Sequence, residues 1–240
     1  MKNYSYFCVK STRMYTYQYP HPAVTTDCVI FGYDIREGLS VLLVERGVEP
    51  FKGCWAFPGG FLKMDEDAET GARRELMEET GFEAVSIFQF GTFSEVNRDP
   101  RERVITIAYM ALVQKDSVKG GDDASDARWF PVKEVPPLAF DHDRILRIAL
   151  ERLKEQIHFH PVGFDLLPEV FTLPQLQALY EAILGVRFDR RNFASKMQKL
   201  GILQPTGDRP SHLATRIPQT YRFNIEKYNE LKNSGFRLEF

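Results

Sequence analysis

The segment that decides the fold is Gly60–Phe82, which reads GFLKMDEDAETGARRELMEETGF. Within it Glu75, Glu78 and Glu79 stand three and four residues apart, so a helix would present all three carboxylates on one face. Crowded carboxylates repel one another unless a cation neutralises them, and hard oxygen ligands favour Mg²⁺ or Mn²⁺. The segment therefore predicts a helix that follows a glycine-containing loop and carries a possible metal site.

The same segment resembles the Nudix box, and the lead-in WAFPGG at Trp55–Gly60 resembles the sequence that usually precedes it. The resemblance covers roughly residues 20–156 and implies an α/β (α+β) Nudix fold with a mixed sheet. The matching positions are Gly60, Glu66, Arg74, Glu75, Leu76, Glu78, Glu79, Gly81 and Phe82.

The resemblance also implies roles for individual box residues. Arg74 is expected to orient the carboxylates, Gly60 to supply a backbone ligand, and Glu66 to support the site. Mg²⁺ or Mn²⁺ bound by Glu75, Glu78 and Glu79 would be positioned to bridge a diphosphate and activate water. A box does not by itself establish turnover, because hydrolysis also needs substrate-recognition residues elsewhere, so the motif predicts the fold and leaves catalysis open.

Around the box, runs rich in β-branched and aromatic residues predict strands, and 3.6-residue periodicity predicts helices. The two N-terminal strands are separated by the polar segment DIREG, which indicates a hairpin. The first part of the chain is therefore mixed α and β. The predicted strands cover residues 23–33, 39–45, 85–93, 104–113 and 127–132, and the predicted helices cover residues 65–80 and 141–156.

A break in this pattern predicts the domain boundary. The sequence IHFHPVGFDLLPE at Ile157–Glu169 carries two prolines and a glycine and ends the helical periodicity, so it is the best candidate for a linker or docking segment. We expect an N-terminal extension at residues 1–19, a Nudix-like domain at 20–157, a linker at 158–170, and a second domain with a C-terminal tail at 171–240.

The charge distribution differs between the two parts of the chain. The whole chain has a formal charge of −2; residues 1–157 hold 20 basic and 25 acidic side chains, whereas residues 158–240 hold 11 and 8. The segment Arg187–Arg222 alone contains eight basic residues against Asp189 and Asp208. A basic surface on an acidic protein suits a polyanionic partner, although many such clusters are ordinary solvated surfaces.

Two helices and two short strands organise this basic segment. Thr172 can cap a helix that ends near Gly185, and a second helix begins at Asp189 and buries Phe193 and Met197. Arginine reads guanine, asparagine reads adenine, and lysine and serine hold phosphates, so the opposite face suits the DNA major groove. The candidate DNA-binding residues are Arg190, Arg191, Asn192, Ser195, Lys196 and Lys199 on the helix, and Arg209, His212 and Arg216 in a wing.

Residues 171–224 read as a winged helix-turn-helix with two clear helices, and we expect the third in residues 161–169 or from elsewhere. The run FTLPQLQALYEAILGVRFDRRNFASKMQKLGIL resembles the C-terminal domain of the NrtR-like Nudix-related transcriptional regulators. The resemblance covers about residues 20–225. It implies a homodimer that binds a palindromic operator and generally represses until an effector releases it. That effector is ADP-ribose or, in a sugar-catabolism branch, a pentose such as L-arabinose.

Three functions remain open on the sequence. The favoured one is a ligand-responsive DNA-binding regulator, whose binding to DNA does not require the metal. The second is a Mg²⁺-dependent Nudix pyrophosphatase acting on ADP-ribose-like nucleoside diphosphate derivatives, and the third is a winged helix that contacts proteins only. Residues 17–26 and 98–103 contain plausible pocket material, but no effector-binding residue is assigned.

The composition of the chain indicates the cellular compartment in which the protein is expected. The chain has no apolar run of membrane-spanning length, and its N-terminus lacks the continuous apolar core of a secretory signal. Its three cysteines, Cys8, Cys28 and Cys54, form no close pair. We therefore expect a soluble cytoplasmic protein without a disulfide framework or a contact with membranes.

Overall fold

A mixed sheet forms the centre of the N-terminal part in the computed structural model, which describes residues 15–82, 86–115, 126–158, 162–206 and 219–234. The main path of the sheet has the order β3-β2-β1-β6-β5, with β4 also paired to β1 and β7 also paired to β2. The strands are β1 (Ala23–Asp34), β2 (Gly38–Glu45), β3 (Trp55–Ala56), β4 (Gly59–Phe61), β5 (Phe88–Phe93), β6 (Val104–Gln114) and β7 (Ala127–Pro131).

The long strands β1 and β6 run parallel, in a register that pairs Ala23 with Val104 and Tyr33 with Gln114. The other pairs in this sheet are antiparallel. The mixed sheet and the hairpin between β1 and β2 are thereby confirmed.

Both faces of the sheet are covered, which explains why β1 is buried without interruption from Thr25 to Tyr33. Cys28 and Ile30 face the helix α1 (Ala68–Thr80), whereas Val29 and Phe31 face the opposite side. That opposite side packs against α2 (His142–Gln156), whose inner stripe includes Ile145, Leu146, Ala149 and Leu153.

The C-terminal part contains a second, three-stranded antiparallel sheet with the order β8-β10-β9. Four helices accompany it within the described residues, and the pair formed by the second and third is the predicted helix-turn-helix. The elements are α3 (Gly163–Leu166), β8 (Phe171–Thr172), α4 (Leu173–Leu184), α5 (Arg190–Lys199), β9 (Leu203–Pro205), β10 (Thr220–Phe223) and α6 (Ile225–Asn233).

Local sequence accounts for the ends of α4. Its N-terminus has the predicted capping box: the Thr172 hydroxyl accepts from the Gln175 N–H at 3.4 Å, and the Gln175 side chain accepts from the Thr172 N–H at 2.6 Å. Gly185 closes the helix in the left-handed conformation, with a φ of 71°. The turn that leads to α5 is therefore set by residues visible in the sequence.

The described part of the segment predicted as a linker or docking segment, from residue 162 onward, includes deeply buried residues. Val162, Leu166 and Leu167 are about 1% exposed, and the helix α3 lies where the missing third helix was expected. These apolar side chains belong to the core cluster that also includes Leu176 and Tyr180 of α4, which favours the docking interpretation over a free linker. The exact domain limits at residues 157 and 171 stay predictions.

The two parts of the chain share one apolar core. A single cluster runs from β1 and β2 through Leu153 of α2 and Ile157, the residue after α2, to Leu176 and Tyr180 of α4, and on to Phe193 in α5. A hydrogen bond from the Gln114 side chain to the Leu167 carbonyl, 2.7 Å long, also joins them. Across the described ranges, no helix is long and apolar enough to cross a membrane.

Candidate functional site

The box helix α1 begins and ends at residues that fix its orientation. Asp67 caps its N-terminus by accepting a hydrogen bond from the Thr70 N–H at 2.8 Å. Gly81 ends it with a φ of 64°, and its N–H donates to the Met77 carbonyl at 2.9 Å. Gly81, one of the predicted box residues, therefore terminates the helix.

Arg74 lies at the centre of the hydrogen bonds within the box, and its role in orienting the carboxylates stays a prediction. Its guanidinium donates two hydrogen bonds to Glu66, at 2.6 and 3.0 Å, and one to Glu75 at 2.6 Å. It also reaches Glu78 at 3.0 Å and the Phe61 carbonyl at 3.2 Å. The hydrogen bonds from Arg74 lower the pKa of Glu66 to about 2, so Glu66 is held ionised.

Glu79 lies apart from this arginine network. Its carboxylate accepts a hydrogen bond from the Gly59 N–H at 2.9 Å, but burial raises its pKa to about 7. Burial also raises the pKa of Glu75. The segment that holds Gly59 and Gly60 lies so close to β1 and α1 that only glycine fits there. A Cβ at Gly59 would lie 2.1 Å from the Thr26 carbonyl oxygen, and one at Gly60 would lie 2.6 Å from the Glu75 carboxyl group.

The three glutamates share α1, but they do not form the three-ligand cluster that the sequence predicts. Glu78 has a side chain that is 55% exposed and turned to Arg74, while Glu79 is turned to the Gly59 loop. Over the described parts of the chain, no group of three or more His, Cys, Asp or Glu side chains is arranged to hold a metal ion. The difference arises because Arg74 and a backbone N–H already satisfy the carboxylates.

Glu75 and Glu79 nevertheless fit a divalent cation. Both are partly buried carboxylates whose ionised form is disfavoured, and a cation would compensate for that cost. These two residues would hold it, with Glu78 available from the same helix. When bound, Mg²⁺ or Mn²⁺ would supply charge neutralisation to a diphosphate and a lowered pKa to a bound water.

Behind the box lies a buried polar network that the sequence did not reveal. The Arg98 guanidinium forms an ion pair with Asp141 at 2.7 Å and lies 3.6 Å from Asp27, with only 3% of its side chain exposed. The Thr106 hydroxyl donates to Asp27 at 2.6 Å. Arg98 lies in one of the ranges expected to line a pocket, but its partners are far away in sequence, so no local signal identified them.

His142 completes this network at the start of α2. Its Nδ1 accepts from the Phe57 N–H at 3.0 Å, so its proton lies on Nε2, which is 3.6 Å from the Asp27 carboxylate. Burial lowers the pKa of His142, and the imidazole is neutral at pH 7. A neutral, fully packed histidine serves to position the residues around it.

The predicted DNA-binding face of α5 is exposed. Asp189 caps the helix by accepting from the N–H groups of Arg191 and Asn192, at 3.1 and 2.9 Å, while Phe193 and Met197 are buried. Lys196 is partly buried. The remaining candidates on the helix are exposed: Arg190, Arg191, Asn192, Ser195 and Lys199.

The wing candidates Arg209, His212 and Arg216 lie outside the described residues. The strands that flank them, β9 and β10, pair antiparallel through Leu203 with Phe223 and Gln204 with Arg222. The strand pair expected at the base of a wing is therefore present, and the roles of the three wing residues stay predictions.

Comparison with known families identifies two domains in the same order as the structure. The model of the NUDIX domain matches residues 21–149. The model of the NrtR DNA-binding winged helix domain matches residues 163–223, which places the short helix α3 in the second domain.

Three relatives extend this comparison. The ADPR responsive transcriptional repressor NtrR of Acinetobacter baylyi is 32% identical over 88% of this chain and 86% of its own length. The ADP-ribose pyrophosphatase of Methanocaldococcus jannaschii is 39% identical over 61% of this chain and 84% of its own.

The third relative is known from solved structures. The crystal structure of Shewanella oneidensis NrtR with a 27mer DNA has a TM-score of 0.73 and 32% identity, covering 90% of this chain and 97% of that one. The NUDIX domain of the same protein in complex with ADP-ribose has a TM-score of 0.51 and 35% identity, over 56% of this chain and 90% of that one.

Proposed function

The chain belongs to the family of Nudix-related regulators that carry an NrtR DNA-binding winged helix domain, and on this premise we propose that it is a transcriptional repressor that ADP-ribose releases from DNA. The observation that carries the proposal is the shared apolar core, which joins the Nudix part to the helix-turn-helix through α2 and α4. Packing of this kind lets a ligand that favours one conformation of the first part change the conformation of the second.

The proposed DNA contact is made by α5. Its exposed basic and amide side chains lie opposite the buried Phe193 and Met197, and its N-terminal turn presents Arg191 and Asn192. In a helix-turn-helix, the first turn of the second helix contacts base edges in the major groove. We assign base reading to Arg191 and Asn192 and phosphate contacts to the other basic residues of α5 and the wing.

The repressor is proposed to act as a homodimer on an inverted repeat, because a two-fold operator needs two recognition helices about one helical turn of DNA apart, or a multiple of it. Gel shift with sheared genomic DNA should give a sequence-preferring complex that weakens with salt. Static light scattering should give twice the mass of the chain, which is 27.8 kDa.

Alanine variants test whether these two residues of α5 contact the bases. Arg191→Ala and Asn192→Ala should each weaken operator binding by about 1–3 kcal/mol and leave binding to random DNA less affected. The matched control is Arg152→Ala on α2, an exposed arginine that pairs with Glu155 at 2.7 Å and lies outside the winged helix. If both α5 variants bind the operator as tightly as the control, another element reads the bases.

ADP-ribose is proposed as the effector on the support of the relatives, two of which are named for a response to or a complex with this molecule. They give no support to a pentose. The expected coupling is about 1–3 kcal/mol, so saturating ADP-ribose should weaken operator binding about 5- to 150-fold. A thermal-shift panel of ADP-ribose, NAD and L-arabinose tests the choice, and stabilisation by L-arabinose alone would contradict it.

Hydrolysis of ADP-ribose is a second candidate function, favoured by the intact contacts of the box and by the similarity to an ADP-ribose pyrophosphatase. The test is incubation with ADP-ribose and Mg²⁺, followed by chromatography for AMP and ribose 5-phosphate. Product that disappears in Glu79→Gln would establish an enzyme, whereas intact ADP-ribose at a concentration that releases DNA would leave a sensor.

A further inference from the structure

The turn between α4 and α5 is held in place by two side chains of α4. Gln177 and Glu181 lie one helical turn apart, and both contact Phe188, the residue before the N-cap of α5. The Glu181 carboxylate accepts from the Phe188 N–H at 2.9 Å, and the Gln177 amide nitrogen donates to the Phe188 carbonyl at 3.0 Å. Both backbone groups of one turn residue are thus bonded to the preceding helix. We call Gln177 and Glu181 the turn clamp.

The two side chains of the turn clamp also hold each other. The Gln177 amide donates to Glu181 at 2.9 Å, through the same carboxylate oxygen that accepts from the Phe188 N–H. These hydrogen bonds lower the pKa of Glu181, so the carboxylate is ionised at neutral pH. Hydrogen bonds to an ionised acceptor are roughly twice as strong as those between neutral groups. The turn is therefore fixed by charge-assisted contacts.

The turn clamp determines where α5 begins. Phe188 directly precedes Asp189, whose carboxylate accepts from two N–H groups in the first turn of α5. On the inner side, the Phe188 ring lies 5.5 Å from the ring of Phe193, which meets Tyr180 of α4 edge-on at 5.8 Å. Hydrogen bonds and ring contacts therefore fix the start of α5 against α4 from two sides.

The position of α5 matters more for reading bases than for attraction to DNA. Hydrogen bonds to base edges are directional, so the recognition helix has to be held within about 0.5 Å and 10–20° of its working geometry. Attraction to phosphates depends mainly on charge, and a slightly displaced basic helix retains most of it. A change in the turn clamp should therefore reduce binding to the operator more than binding to random DNA.

Arg187 lies beside the turn clamp, two residues before the N-cap of α5. Its Nη1 donates to the second oxygen of Glu181 at 3.0 Å, yet its side chain is 93% exposed. An exposed ion pair of this kind contributes little to stability. A guanidinium has five N–H donors, and within the described part of the chain Glu181 accepts from one of them. The others are available to a phosphate, which a guanidinium matches in charge and geometry.

We propose that the turn clamp positions α5 for base reading and that Arg187, held by the same carboxylate, contacts a phosphate of the bound DNA. Gln177 and Glu181 are positioning residues, because they act through Phe188 and Arg187 and do not touch the DNA themselves. The inference rests on the proposed function and deepens it, because it adds residues of α4 and of the turn to those of α5 and the wing.

Fluorescence anisotropy of the full chain tests the turn clamp, with the operator duplex recovered by gel shift and a random duplex of equal length. Glu181→Ala should lower the ratio of operator affinity to random affinity about 10-fold, because two hydrogen bonds are lost. Glu181→Gln loses the same charge but keeps an oxygen for both hydrogen bonds, so it should restore the ratio. A ratio that falls equally in both variants would overturn the clamp.

The control for stability is Thr172→Ala, which removes the capping box at the other end of the same helix. It should lower the melting temperature and leave the ratio of affinities unchanged. If Glu181→Ala lowers the ratio no more than Thr172→Ala does, the clamp is a structural contact only and the inference is wrong.

Two further measurements show whether the clamp acts through Phe188. The Phe188 amide hydrogen, followed by NMR, should exchange faster with solvent in Glu181→Ala and return towards its original rate in Glu181→Gln. Gln177→Ala combined with Glu181→Ala should weaken operator binding by less than the product of the two separate factors, because both act on one residue. Independent effects, or an unchanged exchange rate in Glu181→Ala, would contradict the shared action on Phe188.

The salt dependence of binding tests Arg187. Arg187→Gln should weaken the operator and the random duplex alike, by about 5-fold near 0.15 M salt, and reduce the slope of log K against log salt by about one. The matched control is Arg152→Gln, an exposed arginine that pairs with Glu155 at 2.7 Å on α2. A slope equal to that of the control would make Arg187 an ordinary surface ion pair.

The outcomes distinguish this inference from the proposed function. If the unmodified chain binds an operator and ADP-ribose releases it, but the variants of the clamp and of Arg187 behave like their controls, the inference is wrong and the repressor stands. If those variants behave as expected but ADP-ribose leaves DNA binding unchanged, the inference stands and control by this effector is wrong. Absence of a sequence-preferring complex with the unmodified chain would overturn both.

Discussion

Replacement of Glu66 by glutamine should destabilise the protein at neutral pH, because this carboxylate is held by two hydrogen bonds from Arg74 and its side chain is only 8% exposed. The lowering of its pKa from 4.5 to about 2 corresponds to about 3 kcal/mol of stability at pH 7. Since the Arg74 side chain is 18% exposed and solvent screens part of the pair, we expect about 2 kcal/mol.

The pH dependence has a defined sign. A carboxylate whose pKa is lower in the folded state stabilises the fold above the unfolded pKa and loses that contribution as the pH falls through the folded pKa. The difference in unfolding free energy between the unmodified chain and Glu66→Gln should therefore be full at pH 7 and should have fallen by about half at pH 3.

The assay is urea denaturation at a series of pH values. The matched control on the same helix is Glu69→Gln, whose partner Arg73 lies at 2.8 Å but whose side chain is 55% exposed, so it should cost only about 0.3–0.5 kcal/mol. The reasoning is refuted if Glu66→Gln costs no more than Glu69→Gln, or if its cost does not decrease as the pH is lowered.

Three other substitutions test the fold and its joint core. Gly59→Ala places a Cβ 2.1 Å from the Thr26 carbonyl and should cost about 3 kcal/mol in denaturant titrations; a neutral result would contradict the close approach of the loop. Thr172→Ala removes the capping box of α4 and should cost about 1 kcal/mol, measured in the same way, with an unchanged free energy of unfolding as the contrary outcome. Leu176→Ala, in the shared core, should cost about 2–5 kcal/mol and shift a single unfolding transition seen by calorimetry. Two separate transitions would show that the two parts unfold independently.

Local patterns in the sequence were sufficient for much of the fold. The box, the apolar run of β1, the capping box at Thr172 and the glycine at position 185 are each encoded within a few residues, and the structure places elements where these signals stand. The helix-turn-helix was found in the same way, because its buried stripe and its exposed polar stripe repeat with helical spacing.

The features that sequence reasoning missed depend on long-range contacts. Asp27 and Arg98 meet only because β1 and the loop before β6 lie side by side, and Arg46 reaches Phe140 across more than ninety positions. The expected three-glutamate cluster is not formed for a related reason. Glu79 is turned to the N–H of Gly59, and the position of that loop depends on contacts outside α1. Periodicity reports which face of an element is buried, but it carries no information on what that face meets.

The helix α2 connects the two functional parts of the molecule. Asp141 lies directly before its first turn and is paired with the buried Arg98 at 2.7 Å. Leu153 in its last turn and Ile157, the residue that follows it, lie in the core shared with the winged helix. Fifteen helical residues span about 22 Å as one stiff body. A ligand that changes the environment of the Arg98–Asp141 pair therefore acts on the same rigid element that supports α4, and close-packed cores respond to such a displacement by shifting between discrete arrangements rather than by deforming smoothly.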